Sequence, residues 1–285
     1  MAETGVRTAP AGLLADFSLE MAGRDVGRLE AARESIPAGT RINVGFLEGE
    51  DLATRLGGVG AIGRFGFVPV PNIAARRLSS ERSLREYLAG MRAQGAGESV
   101  FVAAGDPAEP LGPYADAISV IGSGVLEEYG VRRVGVAGYP DGHPLIAEPA
   151  LWSALAGKAA ALRERGLAGS VTTQFGFDAD LVLTWLADLR ARGIGLPVRV
   201  AVPGPMAVRR LLSCASQCGV SISEGSAGKY GFSLTDPTGT AEPGRFIRAL
   251  ASGYDARRHG DVKLHLCPFG AIAATSQWAT EFRTP

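Results

Sequence analysis

The sequence contains few of the residues that most directly reveal chemistry. Only 3 cysteines and 3 histidines occur in 285 residues. Three cysteines do not make a disulfide framework. Cys214 and Cys218 stand at helical spacing in RRLLSCASQCG, without further metal-ligating residues beside them in the sequence. We therefore expect Cys214, Cys218 and Cys267 to be small residues of the buried core, and we expect no metal site.

Net charge and long apolar runs are absent as well. Lys plus Arg number 29, and Asp plus Glu also number 29, so no net field favours nucleic acid or an anionic membrane surface as a partner. Gly, Pro or charged residues interrupt every apolar stretch before about 18 residues, the length that a membrane span needs. The first residues lack a basic segment followed by an apolar one. We therefore expect no secretory signal and a cytoplasmic location.

Familiar catalytic motifs are missing too. The sequence has no G-x-S-x-G, Walker loop, H-E-x-x-H or C-x-x-C, which disfavours hydrolysis by a triad or by zinc. Residues 58–63, GVGAIG, match the dinucleotide-binding pattern, but they follow the helical DLATRL and precede the β-rich RFGFVPV. A dinucleotide-binding loop instead follows a strand and opens a helix. We interpret residues 58–63 as a glycine-rich connection from helix to strand.

The sequence does contain a regular alternation of β-rich and helical segments. Hydrophobic residues make up 46% of the chain, enough for a large core. The β-rich segments are 15–21, 40–46, 64–70, 99–105, 132–138, 170–177, 197–204 and 262–270. This alternation predicts parallel strands covered by helices, and the length suits a single-domain (β/α)8 TIM barrel over residues 1–285. A doubly wound open sheet is the alternative.

Helix boundaries and one irregular segment complete the predicted fold. Segment 219–241 is predicted to hold one additional short strand and a long loop before helix 242–253. N-caps are predicted at residues 79–81 for helix 82–94 and at Asp178 for helix 179–192.

Polar residues at the carboxyl ends of the strands are the candidates for function, because barrel active sites are built there. Glu20 ends the first strand between apolar neighbours. A carboxyl group in such partly dry surroundings holds its proton more tightly, which suits a general acid; a structural acid paired with an arginine is the alternative. Asp106 follows Gly105, which lets a ligand approach the backbone, but the pair also suits a plain turn.

The loop after the fifth strand carries Tyr139 and His143 between glycines and prolines. This setting favours binding over packing for His143. We expect His259, in DARRHGD, to lie on the solvated surface, and His265, in LHL, to face the barrel or a helix.

Taken in order, these strand ends resemble methylenetetrahydrofolate reductase, a flavin-dependent (β/α)8 barrel of one-carbon metabolism. The family's patterns are of the type S-F-E-F, L-R-G-D, A-x-Y-P-E-x-H-P, I-T-Q-x-F-F-D and P-G-I-x-P. The corresponding residues here are SLEM (18–21), AAGD (103–106), AGYPDGHP (137–144), TQFGFD (173–178) and PGPM (203–206). Each match is weak by itself, but five in the same order cover most of the chain.

The resemblance implies an FAD-dependent enzyme that interconverts 5,10-methylenetetrahydrofolate and 5-methyltetrahydrofolate, with NADH or NADPH as electron partner and hydride passing through flavin N5. It implies that Glu20 protonates the folate N10 and that Asp106 lies near the flavin and tunes its potential. Tetrahydrofolate derivatives are the implied partners. A homo-oligomer is a further expectation by family likeness.

The same resemblance assigns further residues. Gln174 would contact the pterin, Phe175 or Phe177 would form an aromatic wall, and Asp178 would cap a helix. The implied flavin-contacting residues are Asn72, Ala104, Gly105, Asp106, Tyr139 and His143, with Lys158 or Arg163 at the phosphates.

Four departures from the family separate this chain from its pattern. Ala104 stands where the family has an arginine, Asn72 where it has a histidine, LAGKAAALRER (155–165) where it has L-x-x-L-K-x-K, and CPFG (267–270) where it has T-L-N-R. Two other functions therefore stay open. One is a flavin-free tetrahydrofolate-binding methyltransferase component, and the other is a non-catalytic folate-binding barrel.

Overall fold

The computed structural model describes residues 10–47 and 49–283. The stretch 1–9, which falls in the region where no secretory signal is expected, lies outside the described residues. Eight parallel strands close into a barrel, and helices cover its outside. The predicted (β/α)8 fold class is confirmed, and the open sheet is excluded.

The strands form one barrel and one small separate sheet. The barrel strands are β1 (Ser18–Met21), β2 (Arg41–Val44), β3 (Val68–Ala74), β4 (Ser99–Ala103), β5 (Arg133–Gly138), β6 (Ala168–Thr173), β7 (Val198–Pro203) and β10 (Val262–Cys267); the small antiparallel sheet joins β8 (Met206–Ala207) to β9 (Thr240–Ala241). The order around the barrel is β1-β10-β7-β6-β5-β4-β3-β2, so each strand pairs with its neighbours along the chain and β10 closes on β1.

The helices that cover the barrel follow the strands in chain order. They are α1 (Pro10–Leu13), α2 (Val26–Ala32), α3 (Leu52–Arg64), α4 (Glu81–Ala93), α5 (Ala117–Gly122), α6 (Val125–Glu128), α7 (Glu148–Glu164), α8 (Ala179–Ala191), α9 (Val208–Gln217), α10 (Glu224–Tyr230), α11 (Gly244–Gly253), α12 (Ala256–His259) and α13 (Ile272–Arg283). In the part of the chain that the structure describes, none of these helices has the length and apolar character of a membrane span.

The inner face of the barrel is polar in its amino-terminal half. Side chains on a strand alternate between its two faces, and the inward set includes Ser18, Asn43, Ser99, Ser170 and Thr172 around a cavity of about 280 Å³. TIM barrels usually fill this space with bulky branched residues. The apolar core of this protein instead lies between the strands and the outer helices, where residues such as Val100, Val134 and Leu264 are buried.

The third strand was predicted at residues 64–70, but it spans Val68–Ala74, four residues further along the chain. Arg64 is the last residue of α3, and the Phe65 N–H still donates to the carbonyl of Ala61. Gly66 then makes the turn at a φ of 84°. The strand consequently begins at Val68 and continues through Pro69 and Pro71 to Ala74.

The glycine-rich segment 58–63 is helical, so its assignment as a helix-to-strand connection was wrong. It lies within α3. A Cβ on Gly58 would lie 2.9 Å from the Cα of Gly23, and one on Gly60 would lie 2.2 Å from Oε1 of Gln94. The glycines therefore let neighbouring segments approach the helix closely, which offsets their low helix propensity.

The irregular segment 219–241 contains more structure than predicted. The additional short strand is β9, but helix α10 also lies in the segment and was not predicted. Ser223 caps α10 by accepting a hydrogen bond from the Ser226 N–H. Caps predicted at residues 79–81 and at Asp178 are confirmed, since Ser80 and Asp178 accept the N–H groups of Ser83 and Asp180.

Candidate functional site

The centre of the barrel mouth is a group of three side chains from adjacent strands. Glu20 lies near the carboxyl end of β1, and His265 and Cys267 lie on the inward face of β10. One possible ligand atom from each of the three lies within 4.8 Å of the others. The Nε2 atom of His265 is 3.6 Å from Oε2 of Glu20. His265 and Cys267 are buried, whereas the Glu20 side chain remains 37% exposed toward the mouth.

A chain of polar contacts runs from this group toward the amino-terminal end of the barrel. The Nδ1 atom of His265 lies 2.8 Å from Oγ of Ser18. Arg199 donates to the same Oγ at 3.3 Å and forms an ion pair with Asp16 at 2.9 Å. These contacts fix the plane of the imidazole and aim its Nε2 at Glu20.

Burial raises the pKa of the Cys267 thiol well above its usual range, and the neighbouring Glu20 carboxylate adds to the increase. Without a cation the thiol is therefore protonated at neutral pH. A thiol, an imidazole and a carboxylate at this separation can exchange protons or share a cation, and both are chemistry that an apolar barrel centre would not support.

A cavity of about 390 Å³ opens beside this group, at the ends of β5 and β6. Gln174 follows β6 directly and lines it together with Phe175 and Tyr139. The Gln174 side chain donates to the carbonyl of Cys218 at 3.1 Å, which orients the rest of its carboxamide. Cys218 lines the same cavity. Loss of hydration around its thiol, followed by the negative charge of Glu20, raises the pKa of that thiol to about 11. The cavity and the Glu20 group are thus close neighbours.

Asp141 is a residue of this cavity that the sequence analysis did not single out. Its carboxylate keeps contact with solvent at the mouth. Partial loss of hydration, followed by repulsion from the Asp178 charge, nevertheless raises the pKa of the carboxyl to about 6. A Cβ on Gly176 would lie 2.6 Å from Oδ2 of Asp141. Glycine at 176 therefore leaves room for a carboxylate that would otherwise be displaced. The signal for Asp141 was its position in AGYPDGHP, where the resembling family has a glutamate.

The two predicted wall phenylalanines have different positions. Phe175 lines the cavity and contacts the Phe269 ring edge-on, with centroids 5.4 Å apart. Phe177 is buried and packs 5.2 Å from the Tyr230 ring in an aromatic cluster beneath the mouth. The cavity wall therefore consists of Phe175 with Phe269 behind it, and Phe177 supports them from the core.

The loop after β10 shapes the mouth through an unusual backbone conformation. Phe269 has a φ of 47°, which side-chain-bearing residues rarely adopt. Arg210 donates a hydrogen bond to the carbonyl of Phe269 from α9. Such a conformation costs about 1–3 kcal/mol, and strain of this kind collects at functional sites.

Asp106 lies on the other side of the mouth in an exposed ion pair. Arg77 donates to both of its carboxylate oxygens, at 2.7 and 3.2 Å. Hydrogen bonds from Arg77 lower the pKa of this carboxyl. Gly105 adopts a φ of 88°, and the carbonyl of Ala104 accepts the Arg76 N–H. The turn holds Asp106 through Arg77 rather than directing it at Glu20.

The two basic residues predicted for flavin phosphates do not meet at the mouth. Lys158 is buried, and its Nζ donates to the carbonyl of Ala137 at 2.7 Å. Burial lowers the pKa of this ammonium to about 8. Arg163 is exposed near the end of α7, just before β6 begins, and so lies at the amino-terminal end of the barrel.

The remaining predicted contacts lie along the mouth. Asn72 faces the barrel interior from β3 and accepts from the side chain of Asn43 at 3.4 Å. Tyr139 and His143 pack edge-on, with ring centroids 5.3 Å apart, and both line the cavity beside Gln174. The structure thus gathers Tyr139, His143, Gln174 and Phe175 around one space.

Two sequence-based expectations about cysteine and histidine are corrected here. Cys214 is half-buried and Cys218 is exposed, so only Cys267 belongs to the core. His259 is buried rather than solvated, because its Nδ1 accepts the Asp255 N–H and its ring stacks on Tyr254. His265 was predicted to face either the barrel or a helix, and it faces the barrel.

The sequence showed no ligand cluster because Glu20 is far from His265 and Cys267 along the chain. Only closure of β10 on β1 brings the three residues together. The available signal was the alternation of KLHLC, which places Lys263, His265 and Cys267 on one face of the strand.

Comparison with known proteins shows the fold and does not assign a family. No protein-family model matches the chain. An uncharacterized protein from Clostridium thermocellum that binds two copies of 5-methyl-5,6,7,8-tetrahydrofolic acid is similar over 95% of this chain and 97% of its own, with a TM-score of 0.60 and 8% identity.

Two lower similarities were also found. Dihydropteroate synthase from Thermus thermophilus in complex with 6HMPPP has a TM-score of 0.49 and 15% identity, over 94% of this chain and 93% of its own. Deoxyribose phosphate aldolase from Aeropyrum pernix has a TM-score of 0.48 and 16% identity, over 95% of this chain and 92% of its own.

Proposed function

We propose that this protein binds a reduced folate in the cavity at the ends of β5 and β6 and acts on its one-carbon unit without a flavin. The observation that carries the proposal is the convergence of Gln174, Phe175 and Asp141 on one cavity beside Glu20. The Clostridium thermocellum protein of the same fold, which binds 5-methyltetrahydrofolate, supports the ligand class.

The chemistry of the cavity matches a pterin ring. A pterin presents an N3–H and a 2-amino group side by side, and a carboxylate such as Asp141 accepts from both. The Gln174 carboxamide offers a further donor and an acceptor, and Phe175 supplies an apolar surface. The volume of about 390 Å³ falls within the range of about 300–1,000 Å³ that is common for small-molecule sites.

Glu20 is the proposed proton donor to the folate amine from which the one-carbon unit is released. Its side chain is 37% exposed toward the mouth, so a bound ligand can reach it. His265 lies behind it, with Nε2 3.6 Å from Oε2 of Glu20, and Ser18 orients the imidazole through Nδ1. A group that donates a proton must lie within hydrogen-bond reach of the acceptor, and the proposal therefore requires the bound folate to extend from the cavity toward Glu20.

The residues present do not fit FAD at its pyrophosphate. Lys158 is committed to the carbonyl of Ala137, Arg163 is at the opposite end of the barrel, and Ala104 replaces the family's arginine. Buried anionic phosphates need cationic or backbone N–H partners. For this reason no step of the proposed function passes through a flavin.

A flavin-dependent reductase that uses NADH or NADPH is the second candidate. It is favoured by the position of Glu20 beside the cavity and by Tyr139 and His143 at the mouth. Absorbance spectra of the protein, recorded before and after excess FAD and desalting, test it. A stoichiometric flavin spectrum that bleaches with NADH or 5-methyltetrahydrofolate would replace the flavin-free proposal with this one.

Calorimetric titration with 5-methyltetrahydrofolate under anaerobic conditions tests the proposed function. We expect saturable binding that Gln174→Leu weakens by about tenfold or more, because a lost hydrogen bond and a buried unpaired ligand group together cost about 1.5 kcal/mol or more. Gln217→Leu is the matched control, since Gln217 lies on the exposed side of α9. No binding by the wild-type protein, or equal affinities of the two variants, would refute the proposal.

A further inference from the structure

We propose that Glu20, His265 and Cys267 form a binding site for a divalent metal ion of the zinc class. The three residues supply a carboxylate, an imidazole and a thiolate, which together with a fourth ligand make a tetrahedral zinc environment. This site goes beyond folate binding, which rests on Gln174 and Asp141 and does not require the ion.

The separation of the ligand atoms fits a metal after a small adjustment. They lie within 4.8 Å of one another. Zinc bonds of about 2.0–2.3 Å in tetrahedral geometry place ligand atoms roughly 3.3–3.8 Å apart. His265 Nε2 and Glu20 Oε2 are already at 3.6 Å. The most widely separated pair of ligand atoms therefore needs to approach by at most about 1.5 Å to reach this geometry.

The imidazole is oriented as metal-bound histidines usually are. Such a histidine donates its other ring N–H to a fixed acceptor, which sets the tautomer. Here Nδ1 of His265 lies 2.8 Å from Oγ of Ser18, and Ser18 is itself held by Arg199. With Nδ1–H donating to Ser18, the lone pair of Nε2 points toward Glu20 and the space that the ion would occupy.

The site has an open side. His265 and Cys267 close it from the barrel, while Glu20 remains accessible from the mouth. Zinc sites with three protein ligands keep a fourth position for water or substrate. Coordination also occupies the Glu20 carboxylate, so the metal-bound protein loses Glu20 as a proton donor while its pterin contacts remain.

Cobalt(II) titration of the reduced, metal-free protein is the test, since a cobalt–thiolate bond gives a charge-transfer band in the near ultraviolet. We expect one equivalent of Co²⁺ to produce this band in the wild-type protein and zinc to remove it by displacement. Cys267→Ser is expected to abolish the band. The matched control is Cys218→Ser, which changes a nearby thiol outside the group and is expected to retain it.

Three results of the cobalt titration would overturn the metal site. The first is the absence of a thiolate band in the wild-type protein at excess Co²⁺, the second is a band that survives Cys267→Ser, and the third is the loss of the band in Cys218→Ser. Glu20→Gln covers the case in which Cys267→Ser does not fold. This variant should weaken zinc affinity, measured against a chromogenic chelator, by more than about tenfold; unchanged affinity contradicts the proposal.

Failure of the metal site and failure of folate binding are separately visible. Calorimetric titration with 5-methyltetrahydrofolate in the presence of a chelator measures folate binding by the metal-free protein. Cobalt titration without folate measures the metal site. A protein that binds cobalt but not folate supports the metal site alone, and the reverse result supports folate binding alone.

Discussion

Replacing Lys158 with methionine should stabilise the protein at neutral pH and leave ligand binding unchanged. Lys158 was expected to meet a cofactor phosphate, but the structure buries it with its ammonium on the carbonyl of Ala137. Methionine has a similar length and no charge, so Lys158→Met removes the cost of burying the ammonium. It also leaves the Ala137 carbonyl without this donor.

The size of the effect follows from the lowered pKa of Lys158, about 8 instead of 10.5. The difference corresponds to about 3 kcal/mol of lost stability at pH values below about 8, where folded and unfolded chains both carry the proton. Loss of the hydrogen bond to Ala137 costs about 1 kcal/mol. We therefore expect Lys158→Met to raise the free energy of unfolding by about 2 kcal/mol near pH 7.

The pH dependence gives the sharper signature. Between about pH 8 and 10.5 the unfolded chain binds more protons at Lys158 than the folded protein does, so wild-type stability rises with pH through this interval. The advantage of the variant should shrink by about 2 kcal/mol between about pH 7 and 9.5. Urea unfolding of both proteins across this range measures the difference, and comparison with the variant cancels the titration of other groups.

A difference in the free energy of unfolding between the two proteins that does not change with pH would refute the conclusion that burial lowers the pKa of Lys158. A Lys158→Met protein that stays folded but loses flavin binding would instead return Lys158 to the role of a phosphate partner.

Two further predictions concern the mouth and helix α3. The affinity for 5-methyltetrahydrofolate should rise about tenfold as the pH increases from about 5 to well above 6, because the Asp141 carboxyl has a pKa of about 6 and only its ionised form accepts hydrogen bonds from the pterin. Asp141→Asn should remove this pH dependence. Calorimetric titrations that give the same pH dependence for the wild-type protein and the variant would contradict the prediction. Gly58→Ala should destabilise the protein by about 1–3 kcal/mol, since its Cβ would meet the backbone of Gly23, whereas Gly57→Ala, with open space around the new methyl, should stabilise it by up to about 1 kcal/mol. Urea unfolding of the two glycine variants measures these changes. Equal changes in the free energy of unfolding would show that helix propensity alone, and not the contact with Gly23, sets the effect of each substitution.

The barrel was predictable because its signal is repeated. Each strand is a short apolar segment, each is followed by a helix pattern, and an error at one boundary leaves the order intact. The third strand shows the limit, since the apolar RFGFV does not reveal that Arg64 and Phe65 finish a helix. The glycines of α3 show another, because close packing against Gly23 is a tertiary effect that overrides local propensity.

The mouth was predictable where a motif carried it and not where the fold created it. Gln174, Phe175 and Tyr139 were singled out because their strand-end motifs resemble those of a known family, and the structure places all three on one cavity. His265 and Cys267 have no such local signature. Their meeting with Glu20 depends on closure of the barrel, and a sequence pattern does not contain that distance.

The contacts that join Asp16, Arg199, Ser18 and His265 have a mechanical consequence for the protein as a whole. They couple the two ends of the barrel. The imidazole of His265 at the mouth is held by Ser18, and Ser18 is held by Arg199, which pairs with Asp16 at the amino-terminal end. A substitution at Asp16, remote from any ligand, would loosen the arginine and then the serine, and through them the orientation of the imidazole. Variation at the amino-terminal end of the barrel can thus change the orientation of His265 without altering a residue that lines the mouth.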